Sequence, residues 1–277
     1  MTTARRNRIK GLSLVELMIA MVIGLILMAG LAQILLSGKR SFNTQSGLGT
    51  LQESGRFALF FLQRDLSMAG FPREVGPSSL EPSVNSFIVA NTTNGPSGTS
   101  DQVEVNFNSD PAVPFSYQDC LGQSSQVAFS GGCADGSNPG TANGGNCSWR
   151  VTNRYFVQND ALMCLGIGNA IAQPMVNGVE SFQILYGVDT DGDSYANVYR
   201  HAGQVAAADW ANNVVSMRVA VLLNSQETIA DSDDTQQYAI LDAPPITPIN
   251  NVATPVNELR MRRRVFTTTI ELRNRTQ

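Results

Sequence analysis

The apolar residues of this chain gather at one end. Leu12 to Leu36 is a 25-residue run broken only by Ser13, Glu16, Gln33 and small glycines, and from Leu17 to Leu36 no side chain is charged. At about 1.5 Å per residue, that uncharged stretch makes a helix that crosses a bilayer core of about 30 Å. After Leu36 the pattern turns amphipathic. Leu48, Leu51, Gly55, Ala58, Leu62 and Leu66 recur at spacings of three and four, and Phe57, Phe60 and Phe61 widen the stripe. Gln45, Gln52, Glu53, Arg56, Gln63 and Arg64 fill the other face, and Gly70-Phe71-Pro72 is a stop signal. The pattern predicts one helix from Leu12 to about Ala69, roughly 87 Å long. Gly38, Gly47 and Gly49 predict a bend or frayed turn within it.

Beyond Pro72 the period falls to two. Val103, Val105 and Phe107 alternate with polar neighbours, and apolar residues recur at every second position in Phe182, Ile184, Tyr186 and Val188 and then in Val215, Met217, Val219, Val221 and Leu223. Trp149 to Val157 and Ala161 to Leu165 flank Asn159-Asp160, which predicts a hairpin. Val265 to Leu272 is the last strand, with Phe266, Ile270 and Leu272 on one face. The expected fold class is α+β: a long N-terminal helix packed on an antiparallel sheet. Residues 109–148, rich in Gly, Ser and Asn, and residues 225–258, with Asp231, Asp233, Asp234 and four prolines, read as long loops.

Charge sharpens this picture. Only 15% of residues are charged and the formal net charge is −4, which disfavours nucleic-acid binding through bulk positive charge. Arg5, Arg6, Arg8 and Lys10 stand before the apolar run with no acid among them. They hold the N-terminus in the cytoplasm, so the head lies across the membrane. A cleaved secretory signal is the plain alternative, and Gly30-Leu31-Ala32 fits its cleavage pattern, but the apolar run is too long for its core. Neither that reading nor a simple anchor explains Glu16. A carboxylate inside a membrane span costs about 2.5–3.5 kcal/mol and calls for a partner.

Lys10-Gly11-Leu12-Ser13-Leu14-Val15-Glu16-Leu17-Met18-Ile19-Ala20 resembles the signal of type IV prepilins. The resemblance implies cleavage after Gly11 by a prepilin peptidase and N-methylation of Leu12. It also implies that Glu16, the fifth mature residue, pairs with the N-terminal amine of a neighbouring subunit. Leu12 stands where the family usually has Phe, and Gln33 stands where major pilins often have a proline. Asn177-Gly178-Val179-Glu180, Tyr186-Gly187-Val188-Asp189 and the ending Arg262 to Asn274 resemble minor pilins of the PilW type. The implied organisation is a leader over 1–11, a membrane or filament-core helix over 12–36 and an amphipathic helix over 37–69. An exported β-rich head follows over 70–277.

Cys120, Cys133, Cys147 and Cys164 contain no C-x-x-C spacing, which argues against zinc or a thioredoxin-like motif. On the exported side two disulfides are expected. Three connectivities exist, and the favoured one closes the Gly-rich loop with Cys133–Cys147 and ties its base to the hairpin with Cys120–Cys164. Asp189, Asp191, Asp193 and Asn197 sit at offsets that suit Ca²⁺ ligands, with Tyr195 offering a carbonyl. The glycine is at the fourth position of this loop rather than the sixth, and Arg200 stands at the twelfth. A metal-free turn built from Asx bonds is the competing reading. No other cofactor is indicated.

No G-x-S-x-G, Walker or dinucleotide fingerprint occurs, and His201 is the only histidine. The resemblance therefore implies a structural, non-enzymatic subunit: a minor pilin that helps prime a type IV pilus and sits in or at the tip of the fibre. Its implied partners are other minor and major pilins, the prepilin peptidase and the inner-membrane assembly platform, with a tip adhesin as a further candidate. The implied location is the inner membrane as precursor, with the head periplasmic, and then the fibre at the cell surface. The rivals are a pseudopilin of a type II secretion system, a membrane-anchored exported enzyme and a DNA-uptake pilin. The last would use Arg260, Arg262, Arg263 and Arg264.

Overall fold

The computed structural model describes residues 13–69, 100–109, 118–123, 128–129, 148–166, 171–248 and 258–272. The chain divides into two units, Met1–Ser46 and Gly47–Gln277. Helix α1 runs from Leu14 to Leu66 with no interruption of its helical residues, so the frayed turn expected at Gly38, Gly47 and Gly49 does not occur. Gly47 and Gly55 instead serve close packing within the head. A Cβ on Gly47 would meet Ile229 at 3.0 Å, and one on Gly55 would run into the Phe266 ring.

The amphipathic stripe is narrower than the sequence pattern suggests. Leu51, Gly55, Ala58, Leu62 and Leu66 are buried, whereas Leu48, Phe57 and Phe60 are exposed. At about 100° per residue, Phe60 lies on the far side of the helix from Ala58 and Leu62. Only Phe61 turns back towards the core.

The head holds two main antiparallel sheets rather than one. The first has strands β1 (Val103–Ser109), β2 (Ala128–Phe129), β3 (Ser148–Gln158), β4 (Ala161–Gly166) and β5 (Gln173–Asn177). Their order is β1-β3-β4-β5, and β2 also pairs with β3. The β3–β4 turn is Asn159-Asp160 as expected, with φ of 52° and 53°, the left-handed pair that a two-residue hairpin needs. The second sheet holds β6 (Val179–Val188), β7 (Val198–Arg200), β8 (Val214–Thr228) and β11 (Met261–Glu271), in the order β11-β8-β6-β7. Ser100 and Asp101 join the sheets: the Phe182 N–H donates to the Ser100 hydroxyl and the Ile184 N–H to the Asp101 carboxylate.

The stretch 225–258 is not a plain loop. β8 runs on to Thr228, and β9 (Tyr238–Ile240) with β10 (Ala243–Ile246) forms a small hairpin. Tyr238 and Ile240 pack with Ala220 and Leu222, while Met217, Val219, Val221 and Leu223 join the core that includes α1. Strand β8 is therefore covered on both faces, which is why its apolar run is nearly continuous. The expected loop 109–148 likewise contains β2 and the start of β3. A short helix, α2 (Ala207–Asn212), precedes β8, and its Trp210 meets Tyr186 edge-to-face at 4.8 Å.

Candidate functional site

The N-terminal half of α1 is the first candidate. Gly11 and Leu12 lie outside the described residues. The Leu17 N–H donates to the Ser13 carbonyl at 3.1 Å, which opens the helix, and Glu16 lies in its first turn, where an acid suits the positive end of the helix dipole. From Leu14 to Leu36 the large apolar side chains are exposed on every face, Leu14 at 76% and Leu35 at 73%. A helix that is apolar all round needs lipid or other helices around it. Among the described residues α1 is the helix long and apolar enough to cross a membrane.

The acidic loop is the second. Carboxylate oxygens of Asp189, Asp191 and Asp193 lie within 4.8 Å of one another. The loop is also held by its own bonds. Asp189 accepts N–H bonds from Asp191, Gly192 and Ser194, at 3.1, 2.7 and 2.8 Å. Asp193 accepts from the Tyr195 N–H. Asn197 accepts from the Thr190 N–H and hydroxyl and donates to Asp191, and the Tyr195 ring is exposed. Desolvation works to raise the Asp189 pKa, but the N–H groups of Gly192, Ser194 and Asp191 outweigh it, and the net shift is downward. The donor set, three carboxylates converging on one point, fits a hard cation such as Ca²⁺.

The third constellation surrounds the cysteines. Cys120 and Cys164 are disulfide-bonded, while Cys133 and Cys147 lie outside the described residues. Close by, Asp65 in the last turn of α1 is buried at 2% exposure. Its carboxylate accepts the Tyr155 hydroxyl, the Asn153 amide at 2.7 Å and the Arg64 guanidinium at 2.9 Å. Desolvation and the Asp65 charge hold the Tyr155 phenol well above its ordinary pKa. Sequence reasoning missed this cluster. Its one signal was a charged residue on the apolar stripe, three positions after Leu62.

The arginine run is taken apart by the fold. The Arg263 side chain has no exposure and makes two bonds to Glu180, at 2.9 and 2.8 Å, with a third to Asp234 at 3.4 Å. Burial works against its charge, but Glu180 and Asp234 outweigh that and raise its pKa. Arg260 pairs with Asp233, and the Arg264 guanidinium lies 5.5 Å from the Phe266 ring centre. Arg263 is thus withdrawn from the run, while Arg260, Arg262 and Arg264 stay exposed. His201 caps a 3-10 turn, its Nδ1 accepting from the Gly203 N–H.

Residues 6–32 match the prokaryotic N-terminal methylation motif, and residues 151–274 match the family of type IV pilus-assembly protein W. The second span starts in β3 and ends beyond β11, so it takes in the acidic loop and Arg263. These two matches point to one class: over these residues the chain is similar to type IV pilins. More particularly, they support a type IV pilus minor pilin resembling PilW. Among solved structures, a type IV-like pilin from Thermus thermophilus is 13% identical. The match covers 82% of this chain and 98% of that one, with a TM-score of 0.44. The GspK-GspI-GspJ complex of the type 2 secretion system of enterotoxigenic Escherichia coli is also 13% identical. There the match covers 63% of this chain and 88% of that one, with a TM-score of 0.31. None of the curated proteins compared with the chain matches it.

Proposed function

We propose that the chain enters the inner membrane as a precursor with its N-terminus in the cytoplasm and its head in the periplasm. Prepilin peptidase cuts after Gly11 and methylates Leu12, and the subunit then joins a type IV pilus as a minor component that primes assembly at or near the tip. The observation that carries this reading is the first half of α1. It is apolar and exposed on every side, and it holds one acid, Glu16, inside the matched methylation motif. In the filament, neighbouring helices replace lipid around Leu14 to Leu36, and Glu16 pairs with the new amine of an adjacent subunit. An opposite charge at short range favours the ionised acid and offsets part of its burial cost. Phe57 and Phe60, exposed on α1, add apolar surface for contacts with other pilins, the assembly platform or a tip adhesin.

In the same reading the acidic loop takes Ca²⁺ through Asp189, Asp191 and Asp193, with the Tyr195 carbonyl and Asn197 as further oxygen donors. The ion would relieve the repulsion among the three carboxylates.

Deletion of the gene in its own bacterium tests the assignment. Loss of surface fibres with normal protein export supports it. Intact fibres with failed export would transfer the chain to the type II secretion pseudopilins.

A further inference from the structure

We propose that the Cys120–Cys164 disulfide fixes the last turn of α1 on the first sheet, acting through the side-chain amide of Asn153. Asn153 lies on β3, fully buried. Its two ends face different structures. The oxygen accepts the Cys120 N–H at 3.0 Å, and the nitrogen donates to Asp65 at 2.7 Å. An amide has one acceptor end and one donor end, so whatever holds the oxygen decides where the nitrogen points. Cys120 is that anchor. Its turn is braced by Asp119, which accepts the N–H groups of Leu121 and Gln123, both at 2.9 Å. The covalent tie to the sheet is the bond from Cys120 to Cys164 on β4. Cys164 lies directly across the strand pair from Tyr155, the other neutral donor to Asp65.

Cleaving the bond takes two electrons and two protons. Dithiothreitol supplies both as it closes to its own disulfide, leaving Cys120 and Cys164 as thiols. Once the turn is free, the Asn153 oxygen loses its donor in a buried place. The amide then either stays unsatisfied or rotates, and rotation sets its oxygen against the Asp65 carboxylate. Both outcomes weaken the hold on Asp65, because an unpaired buried polar group carries its full desolvation cost. The helix end thus becomes sensitive to a redox change on another element.

Amide hydrogen exchange on the full mature chain in detergent micelles tests the link, because it reads local opening segment by segment. Four samples are compared with the oxidised protein: the chain treated with dithiothreitol, Cys120→Ser with Cys164→Ser, Asn153→Ala, and Asn153→Ala combined with Cys120→Ser and Cys164→Ser. Losing the bond should speed exchange over residues 62–69 about tenfold, which corresponds to ~1.4 kcal/mol. In the Asn153→Ala background the same loss should add less than about twofold, because the connection is already cut. Unchanged exchange at 62–69 on losing the bond overturns the proposal, and so does an equal acceleration with and without Asn153. If the chain lacking the bond unfolds as a whole, Asn153→Ala with the bond intact decides. Faster exchange at 62–69 with 118–123 still protected supports the link, and no change at 62–69 overturns it.

Discussion

Asp65 occupies a position on α1 where the stripe calls for an apolar side chain, and the fold answers with three donors from Arg64, Asn153 and Tyr155. Removing the carboxylate leaves the Asn153 amide and the Tyr155 hydroxyl unpaired in the core. Asp65→Ala is therefore expected to destabilise the protein by about 3 kcal/mol, read by urea denaturation of the mature chain. A loss below about 1 kcal/mol would mean that the cluster adds little. Asp189 gives a prediction in pH. Its folded pKa lies below the unfolded value, so its contribution is full above the unfolded pKa and is lost as pH falls through the folded one. Asp189→Asn should therefore melt lower than the parent at pH 7. The two should converge only as the pH falls through the lowered folded pKa, beneath the ordinary aspartate value, where the parent carboxyl also protonates. A difference that persists undiminished at low pH would contradict this account. The same loop is the place to look for Ca²⁺. Millimolar Ca²⁺ should raise the melting temperature of the parent and leave Asp191→Asn with Asp193→Asn unmoved. No shift in the parent would leave the loop as a metal-free turn.

At the scale of elements, α1 shows how glycine acts in opposite senses along one helix. A Cβ at Gly55 runs into Phe266, while one at Gly49 meets nothing within 4 Å. Gly55→Ala should cost about 2 kcal/mol through forced repacking. Gly49→Ala should add up to about 1 kcal/mol of helix stability. Thermal melts of the two variants should move in opposite directions. The helix, the β3–β4 hairpin and the central strands were legible because each follows a local period or a local turn, as Asn159-Asp160 does. The β9–β10 hairpin was not. Pro244 and Pro245 read as loop, and β10 accommodates them because, among the described residues, it pairs only with β9, through Ala243 and Ile246. Phe57 and Phe60 were drawn into the stripe because an aromatic side chain reads as core until its angle around the axis is counted. The Asp65 cluster depends on partners 88 and 90 residues away, a separation that no local pattern encodes.

Across the whole molecule, the formal charge of −4 is an average of unlike parts. Four basic residues and no acid precede the apolar helix, Glu16 lies within it, and the other acids follow it. Of the arginine run near the C-terminus, Arg263 becomes structure. Arg263 links the start of β11 to Glu180 on β6 and to Asp234 in the segment after β8. The part of the chain that defines its class is the one with the simplest pattern, the apolar run and the six residues Gly11 to Glu16. The central claim is that this segment is a prepilin signal that is processed and then kept. Mass spectrometry of the mature N-terminus tests it most directly. A chain that begins at N-methylated Leu12 is the predicted result. A chain that begins at Gln33, the product of ordinary signal cleavage after Ala32, would contradict it.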